Sequence, residues 1–295
     1  MRRLWAVMND SHAKFKTQSA MEYLMTYGWA ILIIAVVMVA LFALGVFNGS
    51  NFGPRATPGA CQVVRNAESV TLQGQCQGEL PMYAAYFSAQ SGQSAVTIST
   101  PSVESAIGSG FSESAWIYDM ASPTSRNDIV SAYGTYLNLQ GSQLCFWVSG
   151  VNTKYLCSGS TGVSQNTWSF VAATYSNGAE TVYIDGQAAA NTLLSGTPTG
   201  GAVPATIGEC GYCGSVHFSF LGYISNVQMY NTTLSANDIN ALYHEGIGGA
   251  PIDPLHIVGW WPLNGNAQDY SGNSNNGQET SISYTSSWTS GYTVP

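Results

Sequence analysis

A long run without any charged residue, Leu24–Phe47, constrains what this chain can fold into more than any other feature. About 20 apolar residues in a helix are enough to cross the hydrocarbon core of a bilayer, so the run predicts a hydrophobic membrane helix. Arg2, Arg3, Lys14 and Lys16 precede the run. By the positive-inside rule, this basic end stays in the cytoplasm and the C-terminal part lies outside the cell.

The charge balance of the remaining chain excludes some classes of partner. Charged residues make up only 8% of the sequence, and 32 glycines with many Ser, Thr, Asn and Gln supply the polarity. Without residues 1–17, four basic and fifteen acidic residues leave a formal charge of −11. Such a surface repels nucleic acid and anionic lipid head groups, so we exclude nucleic-acid binding. Aromatic and β-branched residues with Gly and Asn turns are typical of a secreted β protein.

All the cysteines follow the hydrophobic run, and their number is even, which favours disulfides in an exported domain. Six cysteines allow fifteen pairings. Local spacing favours Cys61–Cys76, Cys145–Cys157 and Cys210–Cys213. The alternative for Cys210 and Cys213 is half of a metal site, but the chain has no second CxxC motif, so we favour the disulfide.

The segment at the start of the hydrophobic run carries a specific motif. The A-x-A cleavage motif of a secretory signal peptide does not follow the run. The run is therefore either a membrane anchor that is not cleaved or a helix from which a leader is removed at the front. Gln18-Ser-Ala-x-Glu22-Tyr-Leu, after two lysines, resembles the processing region of archaeal class III signal peptides in the type IV pilin superfamily. The resemblance implies that a prepilin-type peptidase cuts between Thr17 and Gln18. Thr17 departs from the pattern, in which Gly or Ala is common.

Glu22 has a predicted role in assembly. A carboxylate at the edge of a hydrophobic helix is costly unless it is paired. Cleavage would create an α-amino group at Gln18, which can pair with Glu22 of a neighbouring copy and set the register of a helix bundle. The alternative is an acid that reaches the membrane interface without a partner. We favour assembly into a homo-oligomer through the helix, after a stage in the membrane.

Residues 48–60 predict a linker, because Gly, Pro, Asn and Ser dominate and Pro54 and Pro58 exclude a continued helix. Asn48 and Asn231 begin N-x-[ST] triplets, which are candidate glycosylation sites on an exported chain. From Cys61 onward, short apolar or alternating runs separated by turn residues predict a β sandwich or jelly roll. Residues 234–246 predict the one later helix, with Ser235 as N-cap, Asp238 at the capping-box position and Gly246 as C-cap.

Three segments of this region resemble the LamG-like, concanavalin A-like jelly roll: Phe111–Ile117, Trp168–Gly186 and Phe220–Ile239. The resemblance implies an all-β jelly-roll sandwich over residues 61–295, behind a long N-terminal hydrophobic helix at 18–47. Val258–Gly277 resembles the segment that usually opens this domain, yet here it follows the predicted helix. Because domain termini often lie close together, a permuted order is tolerated. We predict that residues 257–263 complete the same sandwich.

No pattern for catalysis is present, so we predict that the chain is not an enzyme and name no catalytic residue. Asp119, Asp128 and Asp185 could in principle pair as in a glycosidase, but Asp185-Gly is typical of a hairpin turn. LamG-like relatives often hold calcium, and the segment containing Asp269 offers the oxygen ligands that calcium prefers, from Asn264, Asn266, Asp269, Asn273 and Asn276. One carboxylate is few for a tight site, and we favour an Asn/Gly-rich turn.

Exposed aromatic residues are candidates for sugar binding: Trp116, Trp147, Trp168, Trp260, Trp261 and Trp288. Strand alternation predicts that Trp116, Trp168 and one of Trp260 and Trp261 lie in the core. The sequence thus predicts a pilin-like subunit of an archaeal surface filament, whose helix packs in the filament core and whose LamG-like domain binds a glycan or surface protein. The alternative is a membrane-anchored adhesin that never polymerises. Both are located at the cell surface.

Overall fold

A computed structural model describes residues 16–43, 54–88, 94–99, 103, 108, 110–121, 126–132, 134–199, 204–211, 213 and 218–295. The chain divides into two compact units, Met1–Asn51 and Phe52–Pro295. Over the described residues, the first unit contains the helix Lys16–Ala43, and the second contains strands and the short helix Ala236–Glu245. Asn48, a candidate glycosylation site, lies outside the described residues.

Helix α1 runs from Lys16 to Ala43, whereas the sequence predicts a helix over 18–47. The predicted cleavage point between Thr17 and Gln18 therefore falls inside the helix; the side chains of Thr17, Gln18 and Glu22 lie outside those described. Large apolar side chains along the middle of α1 are exposed, Trp29 among them. Within the described residues, no helix has the length and apolar character needed to span a membrane, so the predicted membrane crossing is not found there.

The second unit is a sandwich of two large sheets, as the alternating pattern predicts. The strands are β1 Arg55–Ala56, β2 Cys61–Arg65, β3 Val70–Gly74, β4 Leu80–Pro81, β5 Ala84–Ser88, β6 Ala95–Ile98, β7 Gly110–Asp119, β8 Arg126–Ala132, β9 Thr135–Gln140, β10 Gln143–Val148, β11 Leu156–Gly162, β12 Trp168–Ser176, β13 Ala179–Ile184, β14 Gln187–Leu193, β15 Ala205–Ile207, β16 Leu221–Tyr230, β17 Ile257–Trp261, β18 Gln278–Thr280 and β19 Ile282–Thr285. Sheet 1 has the strand order β14-β13-β12-β7-β16-β5-β19, with β17 also paired to β16, and sheet 2 has the order β11-β10-β9-β8-β15-β6-β18. Two small sheets pair β1 with β4 and β2 with β3.

Strand alternation divides the buried side chains into two clusters. On β7, Phe111, Ala115 and Ile117 enter the core between the large sheets, whereas Trp116 enters a second cluster on the opposite face of sheet 1. Successive side chains of a strand point to opposite faces, so β7 serves both clusters. Each fully buried large apolar side chain contributes roughly 1.5–3 kcal/mol relative to exposure.

The predicted permuted strand is present. Strand β17 pairs antiparallel with β16, from Val227 opposite Trp261 to Tyr230 opposite Ile257. Further back along β16, Leu221 to Ile224 pair with β5, and β7 pairs with β16 as well. The segment 257–261 therefore extends sheet 1 beside β16, as the sequence predicts.

The short helix α2, Ala236–Glu245, follows the predicted capping signals. Ser235 accepts a hydrogen bond from the Asp238 backbone N–H, and the Asp238 side chain accepts one from the Ser235 backbone N–H. These bonds form a capping box, which satisfies two of the otherwise unpaired N–H groups of the first turn. Ile239 and Leu242 are buried, which fixes α2 against the second cluster.

The predicted linker is shorter than the sequence implies. Arg55 and Ala56 form β1, which pairs in parallel with Leu80 and Pro81. Arg55 donates a hydrogen bond from Nη1 to the Pro81 carbonyl, and its guanidinium lies 5.1 Å from the ring centroid of Trp288. Long-range partners of this kind are not visible in a Gly/Pro-rich segment, so this part of the linker belongs to the folded unit.

Candidate functional site

An aromatic row crosses four adjacent strands of sheet 1. Trp168 on β12 is directly opposite Tyr118 on β7, which is opposite Tyr223 on β16, which in turn is opposite Tyr86 on β5. Each occupies the face away from the inter-sheet core, because the flanking residues, such as Ile117 beside Tyr118, belong to that core. We call these four residues the aromatic row.

The rings of the aromatic row are in contact. Ring centroids are 5.2 Å apart for Tyr86 and Tyr223, 5.6 Å for Tyr118 and Tyr223, and 5.9 Å for Tyr118 and Trp168. Such spacing is typical of favourable tilted and edge-to-face aromatic pairs. Trp168 is buried, and its indole N–H donates to the Trp288 carbonyl at 2.8 Å, so it anchors the row. The three tyrosines are half-buried and partly accessible to a ligand.

Gly222 allows the close approach of strands at the aromatic row. Its φ is +140°, and a Cβ at this position would lie 2.0 Å from the Tyr118 carbonyl oxygen. A side chain there would therefore push β16 away from β7. Glycine is needed for β7 and β16 to place Tyr118 and Tyr223 side by side.

The phenol of Tyr223 stays neutral in this setting. Burial raises the pKa of Tyr223 above its ordinary value, and the nearby Tyr86 and Tyr118 raise it further. A neutral phenol both donates and accepts hydrogen bonds. The row can thus offer flat apolar ring surface together with a polar hydroxyl.

A second group of functional side chains surrounds Arg126, and we call it the Arg126 cluster. Arg126 Nε and Nη2 donate to the two carboxylate oxygens of Asp128, each at 3.1 Å. The same Nη2 lies 4.0 Å from Cys210 Sγ and 3.8 Å from Cys213 Sγ. The guanidinium also lies over two rings, 4.3 Å from the centroid of Phe218 and 5.4 Å from that of Tyr155.

Asp128 is completely buried, and its ionisation is balanced between opposing effects. The pKa of Asp128 is raised to about 7, because burial and, to a lesser extent, the charge of Glu209 raise it by more than the charge and hydrogen bonds of Arg126 lower it. Burial disfavours the charged form of a carboxyl and a neighbouring cation favours it. The carboxyl can therefore take up or release a proton near neutral pH.

The metal site considered for Cys210 and Cys213 does not fit the structure. One carboxylate oxygen of Asp128 and the two sulfurs lie within 4.8 Å of one another, but the sulfurs form a disulfide. Metals bind the thiolate form of cysteine. Disulfides also join Cys61 to Cys76 and Cys145 to Cys157, the other pairs that local spacing favours.

The candidate calcium ligand Asp269 is already occupied by hydrogen-bond donors. Its Oδ1 accepts from the backbone N–H groups of Trp260 and Ser271, and its Oδ2 accepts from the Ser271 hydroxyl and the Asn275 N–H. The other candidate ligands make internal contacts too: Asn264 with Tyr83 and Ala56, Asn266 with Gln268 and Tyr270, Asn273 with Ile257 and Val258, and Asn276 with the Asp269 N–H. The segment therefore fits the Asn/Gly-rich turn better than a calcium site.

The remaining acids considered for chemistry have structural partners. Asp119 accepts from the Ala121 N–H at 3.0 Å, and burial raises its pKa, while that hydrogen bond lowers it. Asp185 and Gly186 form the β13–β14 hairpin turn with positive φ, and Asp185 accepts from the Phe170 N–H at 2.9 Å. These two acids and Asp128 thus lie in different elements, each with its own contacts.

The tryptophans predicted as sugar-binding candidates are mostly buried. Trp116, Trp168 and Trp288 belong to the second cluster, as expected for the first two. Both Trp260 and Trp261 are buried, whereas only one was expected, because β17 has a packed cluster on each face. Trp147, half-buried on β10, packs against Tyr155 with ring centroids 5.1 Å apart. Asn231, the second candidate glycosylation site, is exposed at the end of β16.

Three of the four residues of the aromatic row were missed by sequence reasoning, which considered tryptophans alone. Each tyrosine is next to at least one residue of the inter-sheet core (Ala85 and Phe87, Ile117, or Ile224), so alternation alone places all three on the face away from the core. Alternation predicts which face of the sheet each tyrosine occupies, but it does not predict which strands are neighbours in the sheet.

Comparison with known families matches residues 90–240 to the concanavalin A-like lectin/glucanases superfamily. The chain belongs to this superfamily. The match includes β6 to β16 and extends into α2, whereas β5, β17, β18 and β19 of the two large sheets lie outside it. It supports the jelly roll inferred from Trp168–Gly186 and Phe220–Ile239. No curated protein matches the chain.

The solved structures that resemble this chain share little sequence identity with it. A provisionally named carbohydrate binding protein of Bacteroides ovatus ATCC 8483 aligns with a TM-score of 0.55 at 16% identity, over 75% of this chain and 65% of that one. The chain thus spans less than two thirds of that protein's length. A heptameric SAP-like pentraxin of Limulus polyphemus aligns with a TM-score of 0.42 at 14% identity, over 57% and 84% of the two chains. Botulinum neurotoxin type C aligns with a TM-score of 0.43 at 15% identity, over 62% of this chain and 50% of that one.

Proposed function

We propose that the β domain is a non-catalytic binding module for neutral polysaccharide, and that the aromatic row is its binding platform. The observation that carries this proposal is the register that sets Tyr86, Tyr223, Tyr118 and Trp168 side by side on one face. The apolar faces of sugar rings pack on aromatic rings, while hydroxyls bond to the polar edges of the site. The carbohydrate binding attributed to the Bacteroides ovatus protein agrees with the proposal.

The dimensions of the row favour an extended glycan. Neighbouring strands lie about 4.8 Å apart, so four strands span about 14 Å from first to last. That length accommodates several sugar rings in line across the strands rather than one terminal sugar.

The charge of the protein favours a neutral ligand. The chain carries a formal charge of −8, with only eight Lys and Arg residues in all. A negative protein repels anionic polymers at low ionic strength. Sulfated or sialylated glycans are therefore poorer ligands than neutral glucans or similar polymers.

Binding of the full chain to a panel of neutral and anionic polysaccharides, by affinity electrophoresis, tests the proposal. Tyr86→Ala and Tyr223→Ala should each weaken binding of a neutral polymer about tenfold, which corresponds to about 1.4 kcal/mol. The matched control is Trp147→Ala, which removes a half-buried aromatic ring from sheet 2. Wild-type affinity in both tyrosine variants, with unchanged melting temperatures, would overturn the proposal.

We propose further that α1 assembles with copies of itself in the core of a surface filament, which displays the binding domain outside the cell. Support comes from the class III motif at Gln18–Leu24 and from the exposed apolar side chains of α1, such as Ile31 and Val39. Large exposed apolar surface marks an interaction site. Packing of several α1 helices would bury it.

The mass of the native N-terminus tests the filament proposal. A mature chain that begins at Gln18 supports processing and assembly, whereas an intact leader favours the adhesin that never polymerises. Glu22→Ala should reduce polymer yield if Glu22 pairs with the new α-amino group, and Glu68→Ala, on an exposed turn, is the control. An unchanged polymer yield in Glu22→Ala would contradict the proposed role of Glu22 in setting the register of the helix bundle.

A further inference from the structure

The Cys210–Cys213 disulfide differs from the other two in its surroundings. Cys213 is half-buried, whereas Cys210 is buried, so an attacking thiol reaches Cys213 more easily. The Arg126 guanidinium lies 3.8 and 4.0 Å from the two sulfurs. Cations next to a cysteine stabilise its thiolate, which makes a disulfide easier to reduce.

We propose that Cys210–Cys213 is a redox-active disulfide that undergoes thiol–disulfide exchange with an external dithiol. Arg126 stabilises the thiolate that leaves, and Asp128 holds Arg126 and transfers a proton. Cys210, Cys213 and both helper residues lie in the described part of the chain, and the proposal is independent of sugar binding.

The exchange balances as two successive displacements. One thiolate of the dithiol attacks Cys213 Sγ, forms a mixed disulfide and breaks the Cys210–Cys213 bond. The electron pair of that bond stays on Cys210 Sγ beside Arg126, and the Asp128 carboxyl protonates this thiolate. The second thiol gives its proton to the Asp128 carboxylate and attacks the dithiol's own sulfur in the mixed disulfide. Cys213 leaves as a thiolate and is protonated from water, so the protein disulfide gains two electrons and the dithiol is oxidised to a disulfide.

Arg126 argues against metal binding by the reduced pair. A reduced Cys210, Cys213 and Asp128 would offer three ligand atoms within 4.8 Å. However, Arg126 already occupies both oxygens of Asp128 and would place its positive charge about 4 Å from the sulfurs. A divalent cation would have to displace that charge, whereas a thiolate gains from it.

The other two disulfides of the chain serve as controls for the solvent exposure of Cys210–Cys213. Cys61 and Cys76 are both half-exposed, as Cys213 is, so their disulfide controls for access by a reductant. Cys145 is completely buried, so its bond to Cys157 represents a protected disulfide. Differences between Cys210–Cys213 and Cys61–Cys76 therefore report on the Arg126 cluster rather than on exposure alone.

The first experiment equilibrates the full chain with reduced and oxidised dithiothreitol at pH 7, traps free thiols by alkylation and measures each pair by peptide mass spectrometry. We expect Cys210–Cys213 to be half-reduced at a dithiol-to-disulfide ratio about tenfold lower than Cys61–Cys76, equivalent to about 30 mV for two electrons. Reduction of Cys61–Cys76 at the same or a lower ratio would overturn the proposal.

The second experiment separates charge from structure at Arg126. Arg126→Gln should shift the equilibrium of Cys210–Cys213 about fivefold towards the disulfide, and Arg126→Lys should restore most of the wild-type value because it keeps the charge. If Cys210–Cys213 had the same reduction equilibrium in Arg126→Gln and Arg126→Lys, the charge of residue 126 would play no part, which contradicts the proposal. The Cys145–Cys157 pair, measured in the same samples, reports any general loss of structure.

The third experiment tests the proton transfer. The titratable and charged groups around Asp128 are Arg126, Glu209 and Tyr155, with the two sulfurs beside them. The rate of reduction by excess dithiothreitol should show an inflection near pH 7 in the wild type, superimposed on the titration of the reagent. Asp128→Asn should remove that inflection while Cys61–Cys76 keeps an unchanged profile. An inflection that persists in Asp128→Asn would exclude the proposed role of the carboxyl.

Discussion

Glu113 is a carboxyl placed in the core between the sheets. It is fully buried on β7 between Phe111 and Ala115, and its cross-strand neighbours are Ala173 and Met229. Neither of its oxygens has a hydrogen-bond partner among the described residues. Burial raises the pKa of Glu113 well above its ordinary value, so the side chain is held in its neutral form.

The pH dependence of stability follows from that neutral form. Because the folded state holds a proton that the unfolded state releases above about pH 4.3, stability falls as the pH rises from there towards the raised pKa. Glu113→Gln mimics the neutral side chain and should be more stable than wild type at pH 8 by at least about 1 kcal/mol, with little difference at pH 4. Urea unfolding at both pH values measures this. Glu68→Gln, at an exposed position, should behave as wild type.

Asp269 stabilises the segment after β17 through four donors. Asp269→Ala should cost about 2–4 kcal/mol, because the Trp260, Ser271 and Asn275 N–H groups lose their acceptor. Thermal unfolding measures the loss, and Asp253→Ala, at a partly exposed loop position, should change stability by less than about 0.5 kcal/mol. Addition of EDTA to the wild type should leave its melting temperature unchanged, whereas a clear drop would indicate a calcium site.

At the scale of elements, β16 organises sheet 1, since β5, β7 and β17 all pair with it. Gly222→Ala places a Cβ against the Tyr118 carbonyl and should destabilise the domain by at least about 2 kcal/mol. The control is Gly159→Ala, because Gly159 also has positive φ but open space around it, so it should cost only about 1–2 kcal/mol. Equal losses in the two variants would show that strand spacing at Gly222 is not critical.

The same element shows what the sequence can and cannot predict. Alternation predicts strands over most of sheets 1 and 2, and the capping box predicts α2, because these signals are local. The aromatic row depends on pairs such as Tyr86 with Tyr223, which lie far apart in the chain, and nothing local selects neighbouring strands. The burial of Glu113 is equally hidden, since a charged residue in a strand normally indicates an exposed position.

At the scale of the whole molecule, residues 251–295 are required for the fold although the family match ends at 240. They supply β17, β18 and β19 and the buried side chains of Trp260, Trp261, Trp288 and Tyr292. A chain that ends at Ala250 should not fold, because losing each buried aromatic costs about 3–5 kcal/mol and total stability is about 5–15 kcal/mol. Near-ultraviolet circular dichroism measures this.

A permuted chain provides the control for that truncation. Because the Arg55 guanidinium lies over Trp288, a short linker can join residues 251–295 to the front of residues 54–250. This permutant keeps every strand and α2 and should fold, since the strand order in space is unchanged. A folded truncation, or an unfolded permutant, would show that residues 251–295 are not an integral part of the sandwich.

Strands β18 and β19 are separated only by Ser281, which has a positive φ of 50°. One belongs to sheet 2 and the other to sheet 1, so the chain adds an edge strand to each large sheet within eight consecutive residues. The ribosome must therefore translate residues 278–285 before either layer has its full width. Domains tend to fold as their residues emerge from the ribosome, but the two layers of this one gain their last edge strands together, when β18 and β19 emerge one directly after the other.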